Sequence, residues 1–200
     1  MRPGQRPGQR GERGGDIAAD VDLGSMIYTA AYHGNERHLK KILLRVKQHM
    51  ASQILSWKHP HGGSTAMYVA CEFGHSGASR LLLEAGAPPD QPRDDGATPF
   101  YKACQDGNIA IVRLLLKHGA KVDQVDNNGM TPLWVACHQG RADLAKVLLE
   151  AGADPRRKVQ EWSPLMLAER EGNENLIELI KGACAPRTTP KPPPRPPISS

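Results

Sequence analysis

Aromatic residues are scarce in this chain of 200 residues, and they make up only 4% of it. A core must therefore come mainly from the aliphatic residues and alanines that bring the hydrophobic fraction to 39%. No stretch reaches the roughly 18 apolar residues that a membrane-spanning helix needs, and the opening MRPGQRPGQRGERGG lacks the apolar segment of a signal peptide. We therefore expect a soluble intracellular protein, cytoplasmic or nuclear, with a thin core.

Signatures of catalysis and cofactor binding are also missing. The sequence contains no GxxxxGK[ST], no GxGxxG after a strand and no HExxH. His59 and His61 lie in a glycine-rich stretch with no third metal ligand, which is typical of a solvated loop. We therefore expect no enzyme, no cofactor and no metal site.

Charge is distributed unevenly along the chain. The net charge of +5 comes from the two ends, because residues 1–15 hold four arginines and one glutamate, and residues 186–200 hold three basic residues and no acidic one. Both ends are rich in glycine or proline and hold almost nothing that could be buried. We predict a disordered Arg/Gly-rich segment over residues 1–21, a folded domain over 22–185, and a disordered Pro-rich basic tail over 186–200.

The folded part repeats with a period of 33 residues. TPFYKAC at Thr98–Cys104 recurs as TPLWVAC at Thr131–Cys137 and, one period earlier, as TAMYVAC at Thr65–Cys71. Weaker copies begin at Ser163 and Ile27, and a glycine follows each copy. The domain is therefore predicted to contain five units.

Each unit is predicted to be a hairpin of two helices, and the central unit gives the clearest signals. Thr98 can cap the first helix with its hydroxyl, and Pro99 fits the first helical position, where an N–H would have no partner. Gly107 can take the left-handed conformation that ends this helix. The second helix, over about residues 109–118, has one apolar face, formed by Val112, Leu115 and Leu116.

One such hairpin cannot bury its apolar surface alone, so neighbouring hairpins must stack. The period, the TP motif, the alanine that follows it, the mid-unit glycine and the closing Gly-Ala together resemble the ankyrin repeat over about four fifths of the chain. The resemblance implies an all-α solenoid of stacked helix-turn-helix units. The first and last units depart most from the pattern, which suits capping repeats, and a long connection over residues 47–63 follows the first.

Two slots of the repeat are predicted to serve packing. The family usually has histidine after the third motif residue, and this slot faces inward in the ankyrin fold. Here it holds Tyr28, Tyr68, Tyr101, Trp134 and Met166, so we expect buried rings whose hydroxyl or indole N–H finds a local partner. Cys71, Cys104 and Cys137 also share one slot. Helices that pack about 8–10 Å apart hold them too far apart for a disulfide, which needs Cα atoms within about 7 Å, or for a shared zinc ion.

A binding surface follows from the resemblance alone. In ankyrin repeats, the two residues before the mid-unit glycine and the tips of the loops before the TP step line one concave face. At the helix ends these positions are Tyr32, His33, Glu72, Phe73, Gln105, Asp106, His138, Gln139, Arg170 and Glu171. At the loop tips they are His61, Asp94, Asp95, Asn127, Asn128, Met130 and Trp162.

The expected function is that of a non-catalytic scaffold or adaptor, a monomer that binds a protein partner through this face. Glu72, Asp94, Asp95 and Asp106 outnumber the two basic residues on the same strip, Arg93 and Lys102. The expected partner is therefore a basic segment with an apolar anchor that contacts Phe73, since complementary charges steer association and exposed aromatics anchor interfaces.

Three other hypotheses remain open. The TPxYxAC repeats are similar to those of ankyrin proteins that carry a SOCS box, which suggests a substrate-recognition adaptor of a ubiquitin ligase, although no such box is visible after Gly182. The basic ends allow a nucleic-acid-associated regulator, whose binding would weaken as salt rises. RxxPxxP and PxxPxR in the tail offer polyproline ligands for an SH3-type domain.

Overall fold

The computed structural model describes residues 13–46 and 50–185, with side chains from residue 23 onward. These residues form eleven α-helices and no strand, which confirms the all-α prediction. The helices are α1 (Arg13–Tyr32), α2 (Glu36–Leu43), α3 (Ala51–Leu55), α4 (Ala66–Glu72), α5 (Ser76–Glu84), α6 (Pro99–Asp106), α7 (Ile109–Lys117), α8 (Pro132–His138), α9 (Ala142–Glu150), α10 (Pro164–Arg170) and α11 (Glu174–Cys184).

The helices are stacked in two rows. The first helices of the units, α1, α4, α6, α8 and α10, contact one another in that order, and the second helices, α2, α5, α7, α9 and α11, form a parallel row. Within a unit the two helices also pack against each other, as α4 does on α5. Contacts therefore run between sequence neighbours, and the predicted solenoid of stacked hairpins is confirmed.

The ends of the first helices follow the sequence signals. The hydroxyl of Thr98 accepts a hydrogen bond from the backbone N–H of Tyr101 at 3.1 Å, and Thr65, Thr131 and Ser163 cap their helices in the same way. Gly107 ends α6 with a φ of 74°, a left-handed conformation that glycine adopts without strain. A Cβ at this glycine would also overlap the guanidinium of Arg141 from the next unit. The predicted start and end of this helix are confirmed.

The core lies between the two rows and consists of small and aliphatic side chains. Alanines after the TP motif are completely buried where first helices meet, and a leucine or isoleucine of each second helix faces them. These residues are Ala70, Ala103, Ala136 and Ala168 in the first row and Leu82, Leu115, Leu148 and Ile180 in the second. Small residues in the first row allow the helices to approach closely, which explains how a chain with few aromatics builds a continuous core.

Polar links join successive units on the side of the second helices. The carboxylate of Asp90 accepts the backbone N–H of Lys121 at 3.0 and 3.1 Å, and that of Asp123 accepts the N–H of Asp154 at 3.1 and 3.3 Å. Burial raises the pKa of Asp90, while the N–H of Lys121 opposes this effect. These carboxylates connect neighbouring units through backbone groups, so the links depend little on side-chain identity in the next unit.

The structure differs from the sequence expectations at two places in the N-terminal part of the domain. Helix α1 begins at Arg13 and so includes residues 13–21, which the predicted boundary assigned to the N-terminal segment. The connection after the first unit contains helix α3, whose Ile54 and Leu55 are buried. The predicted disorder of residues 1–12 and 186–200 lies outside the described residues.

The prediction that this slot faces inward is confirmed in the central units and is wrong in the last one. Tyr68 and Tyr101 are buried, whereas Met166 is 42% exposed, since α10 belongs to the last unit that the structure describes. The hydroxyl of Tyr68 accepts a hydrogen bond from Arg93, but the buried indole N–H of Trp134 has no partner among the described residues. The expectation of a local partner for every polar aromatic is therefore wrong for Trp134.

Candidate functional site: the concave face

The predicted binding residues lie at the ends of the first helices and in the loops before them, and we call this surface the concave face. Gln105 and Asp106 end α6, while Asp94, Asp95 and Asn127 lie in loops. Glu72, Phe73, His138 and Gln139 occupy the corresponding positions in the neighbouring units and contribute to the same strip. No described residue of this set is fully buried, so the whole set is accessible to a partner.

Backbone hydrogen bonds hold the loop tips in register. The N–H of Asp94 donates to the carbonyl of Gly62 at 3.2 Å, and the N–H of Asn127 donates to the carbonyl of Asp95 at 3.1 Å. The side-chain amide of Asn127 also donates to the carbonyl of Asp94 at 3.3 Å. Three successive loops are therefore joined, and the predicted loop residues are brought together.

Two aspartates shape these loops from within. The carboxylate of Asp126 accepts the backbone N–H groups of Asn128 and Met130 at 3.0 and 2.9 Å. The carboxylate of Asp95 accepts the N–H of Ala97 at 3.0 Å. Asp126 was not among the predicted site residues, although an aspartate two residues before an Asn-Gly step is a recognisable turn signal.

Ion pairs on this face determine which of its acidic side chains are compensated. Lys102 Nζ lies 3.0 Å from Asp106, and Arg93 Nε lies 3.5 Å from Asp95. Within the described part of the chain, Glu72 and Asp94 form no ion pair. The two basic residues expected on the strip thus pair with Asp95 and Asp106, and the excess negative charge lies on Glu72 and Asp94.

A cavity of about 350 Å³ opens on the concave face between the second and fourth units. Tyr68 and Tyr101 form its aromatic wall, and Glu72, Arg93 and Gln105 supply polar groups. Burial is the main cause that raises the pKa of both tyrosines, and the carboxylate of Asp126 adds to it at Tyr101. Both hydroxyls therefore stay neutral at physiological pH and act as hydrogen-bonding groups, not as bases.

Two exposed aromatic side chains meet at the first and second units. The rings of Tyr32 and Phe73 lie 4.7 Å apart in an edge-on arrangement, and they are 43% and 47% exposed. The ring of His75 stacks near Phe73 at 6.2 Å, and its Nε2 lies 3.1 Å from the carbonyl oxygen of Tyr32. The third predicted aromatic, Trp162, lies in the last unit and packs against Arg170 instead.

The remaining predicted residues pair with neighbours on the same strip. Gln139 donates its side-chain amide to the carbonyl of Gln105 at 3.0 Å, and the ring of His138 lies 5.1 Å from that of Trp134. The Gln139–Gln105 hydrogen bond therefore joins adjacent units, whereas His138 and Trp134 lie one turn apart on α8.

Family comparisons agree with this geometry. The family described as "Ankyrin repeats (3 copies)" matches residues 81–159 and 123–188, and the family described as "Ankyrin repeat" matches residues 62–94. The chain belongs to the ankyrin-repeat family. The ankyrin matches begin at residue 62, so the hairpin of α1 and α2 rests on the structure alone. A comparison with curated proteins gives no match.

Ankyrin repeats are protein–protein interaction modules, generally non-catalytic, and this is the function class that the match indicates. Among the described residues, no three histidine, cysteine or acidic side chains are grouped so that they could hold a metal ion. No helix in the described ranges is long and apolar enough to cross a membrane. The concave face of this ankyrin domain is thus a surface of exposed rings, unpaired carboxylates and one polar cavity.

Proposed function

We propose that this ankyrin domain is a scaffold or adaptor that binds a protein partner through its concave face, and that the partner segment is basic with an apolar anchor. The observation that carries the proposal is that two adjacent, half-exposed rings, Tyr32 and Phe73, lie on the same surface as Glu72 and Asp94, which form no ion pair among the described residues. Large exposed apolar groups in a stable monomeric domain mark interaction sites more often than chance.

The rigidity of the face supports binding without a large ordering cost. Loop tips are joined by backbone hydrogen bonds, and the helix ends are capped, so the partner meets a surface that is already shaped. Preorganisation of this kind saves the entropy that a flexible binding surface loses on association.

Unpaired acidic groups on the face favour basic partners. Glu72 and Asp94 attract a positively charged segment over distances comparable with the Debye length, about 8 Å at physiological salt. Such attraction mainly raises the association rate and disfavours acidic competitors. The apolar anchor supplies the short-range energy, and a buried aromatic contact of this kind can account for about 2 kcal/mol or more.

The proposal can be tested with short displayed peptides of random sequence selected on the folded 200-residue chain. We expect the selected peptides to be rich in lysine and arginine. With Asp94→Asn and Asp106→Asn combined, the association rate of such a peptide should fall about fivefold at low salt, because the net charge of the face becomes more positive by two units. One unit comes from Asp94, which has no ion pair among the described residues, and one from Asp106, whose partner Lys102 is left uncompensated.

A matched control neutralises two exposed glutamates away from this face, Glu84→Gln with Glu150→Gln, which end α5 and α9. This variant should bind the selected peptide as the unaltered chain does. Selection of acidic peptides, or equal association rates for both double variants, would move the interface away from the concave face.

The alternatives from the sequence depend on other residues. The SH3-ligand and nucleic-acid hypotheses rest largely on residues 1–12 and 186–200, which lie outside the described part of the chain. The SOCS-box hypothesis rests on the likeness of the TPxYxAC repeats, and no box is visible in the sequence after Gly182. They stay open, and no observation on the concave face favours them.

A further inference from the structure

Arginine side chains twice fill the space between a ring and a carboxylate in this molecule. The guanidinium of Arg93 lies 5.1 Å from the ring centre of Tyr68, donates to its hydroxyl at 3.3 Å and has Nε 3.5 Å from Asp95. In the last unit, the guanidinium of Arg170 lies 5.1 Å from the ring centre of Trp162 and pairs with Glu171 at 2.6 Å. Each of these two arginines thus makes both a cation–π contact and an ion pair.

An aromatic surface and a carboxylate also occur together between the first and second units, but there no arginine lies over the rings. The rings of Tyr32 and Phe73 are adjacent and half exposed, and Glu72 precedes Phe73 at the end of α4. Tyr32 and Glu72 occupy the same slot of adjacent units, four residues after Tyr28 and Tyr68, and α1 packs directly on α4. The charge of Glu72 also contributes, after burial, to the raised pKa of Tyr28 on α1. Over residues 23–46 and 50–185, no arginine or lysine lies over these two rings or pairs with Glu72.

We infer that Tyr32, Phe73 and Glu72 form a subsite for one arginine side chain of the protein partner, an inference that rests on the proposed function. The aliphatic part of that arginine lies across the two rings, and its guanidinium pairs with Glu72. The apolar anchor and the positive charge expected of the partner then belong to a single side chain.

Arginine fits this subsite better than the two obvious competitors. A leucine would cover the rings but would leave the carboxylate of Glu72 next to an apolar group, which removes water from it without compensation. A lysine would satisfy the charge as a compact, strongly hydrated ammonium, whereas a planar guanidinium can stack on a ring and pair with a carboxylate at once. Arg93 and Arg170 both contact a ring and a carboxylate in this way within the domain itself.

The inference is tested with small probes on the full chain, independently of any partner. The tripeptide acetyl-Gly-Arg-Gly amide is titrated into protein whose tyrosine and phenylalanine rings carry ¹³C, and ring resonances are followed by NMR. We expect saturable shifts confined to the rings of Tyr32, Phe73 and their neighbours, with millimolar affinity, because one exposed cation–π contact and one exposed ion pair are weak.

Matched peptides and variants separate charge from apolar contact. The analogue with citrulline, which is neutral and of similar shape, should bind about fivefold more weakly. Glu72→Gln should weaken the arginine peptide by a similar factor, to the level of the citrulline peptide. Glu84→Gln, a neutralisation on the exposed end of α5, should change nothing. Unchanged chemical-shift dispersion shows that each variant is folded.

Two outcomes would overturn the inference. Equal binding of the arginine peptide and a leucine or norleucine peptide, without dependence on Glu72, would make the patch a purely apolar contact. Absence of any shift at Tyr32 and Phe73 up to saturating peptide would remove the subsite. The selection of basic peptides and its dependence on Asp94 and Asp106 are measured without reference to these rings. Basic peptides selected with that dependence, but with no shift at Tyr32 and Phe73, would therefore overturn this inference and leave the proposed function standing.

Discussion

Three of the four cysteines are buried packing residues whose thiols are expected to react slowly. Cys71, Cys104 and Cys137 are completely buried in the first-helix row and free, while Cys184 near the end of α11 is partly exposed. Burial raises the pKa of Cys71 and Cys137 to about 12 and that of Cys104 further. The thiolate, which is the reactive form, is therefore almost unpopulated at neutral pH in these three residues.

We expect iodoacetamide at neutral pH to alkylate Cys184 first and the other three cysteines much more slowly, because they lack both access and thiolate. Peptide mass spectrometry at successive times measures the four rates separately. Addition of denaturant should make the four rates similar, which serves as the control. Rapid labelling of Cys71, Cys104 and Cys137 in the folded chain would contradict their placement between stacked helices.

Helices in this domain are short, so their ends determine much of their stability. Helix α6 has eight residues, a threonine cap at one end and a left-handed glycine at the other. Gly182 presents the opposite case, because it lies within α11, has an ordinary helical conformation, and a Cβ there would meet nothing within 4 Å. The same substitution should therefore act in opposite directions at these two glycines.

Gly107→Ala should lower the free energy of unfolding by about 1 kcal/mol or more, because alanine in the left-handed region is strained and its Cβ displaces Arg141. Gly182→Ala should leave it unchanged or raise it by up to about 1 kcal/mol, because alanine favours the helix. Urea unfolding of both variants measures the difference. A loss of stability at Gly182 equal to that at Gly107 would be inconsistent with the described helix ends.

Over the described ranges, 13–46 and 50–185, the units form a linear array in which each packs mainly on its neighbours in sequence. Stability in such arrays is approximately the sum of the units and the interfaces between them. The last unit, α10 and α11, has one neighbouring unit, and the carboxylate of Asp123 contributes to that interface through the N–H of Asp154.

Asp123→Ala should therefore increase amide hydrogen exchange in α10 and α11 and leave α4 to α7 unaffected. Loss of this hydrogen bond should cost about 1 kcal/mol at the interface, which corresponds to about fivefold faster exchange through local opening. Glu150→Ala, at the exposed end of α9, is the control and should leave exchange unchanged. Uniform acceleration along the chain would mean that the units unfold together.

Prediction from the sequence succeeded where the period applied. The caps at Thr98 and its equivalents, the left-handed Gly107 and the stacked hairpins all follow from signals that recur, so each is supported several times. Helix α3 occurs once and has no equivalent in other units, which is why the period did not indicate it.

The ion pairs of the candidate site could not be predicted from the sequence. The family register brought Glu72, Asp94, Asp95 and Asp106 to one strip, but the pairing of Lys102 with Asp106 and of Arg93 with Asp95 depends on side-chain rotamers. Rotamers of long basic side chains respond to packing from neighbouring loops, and a single sequence does not encode these contacts in any local pattern.

Successive loop tips are linked largely by backbone hydrogen bonds, such as those from Asp94 to Gly62 and from Asn127 to Asp95. A substitution at such a tip can therefore change the chemistry of recognition without breaking the connection to the next unit. Side-chain substitutions in these loops therefore cost little folding stability. Selection for a different binding target can change the side chains of one loop at a time. Backbone hydrogen bonds thus fix the shape of this face, whereas the side chains at the loop tips set its binding specificity.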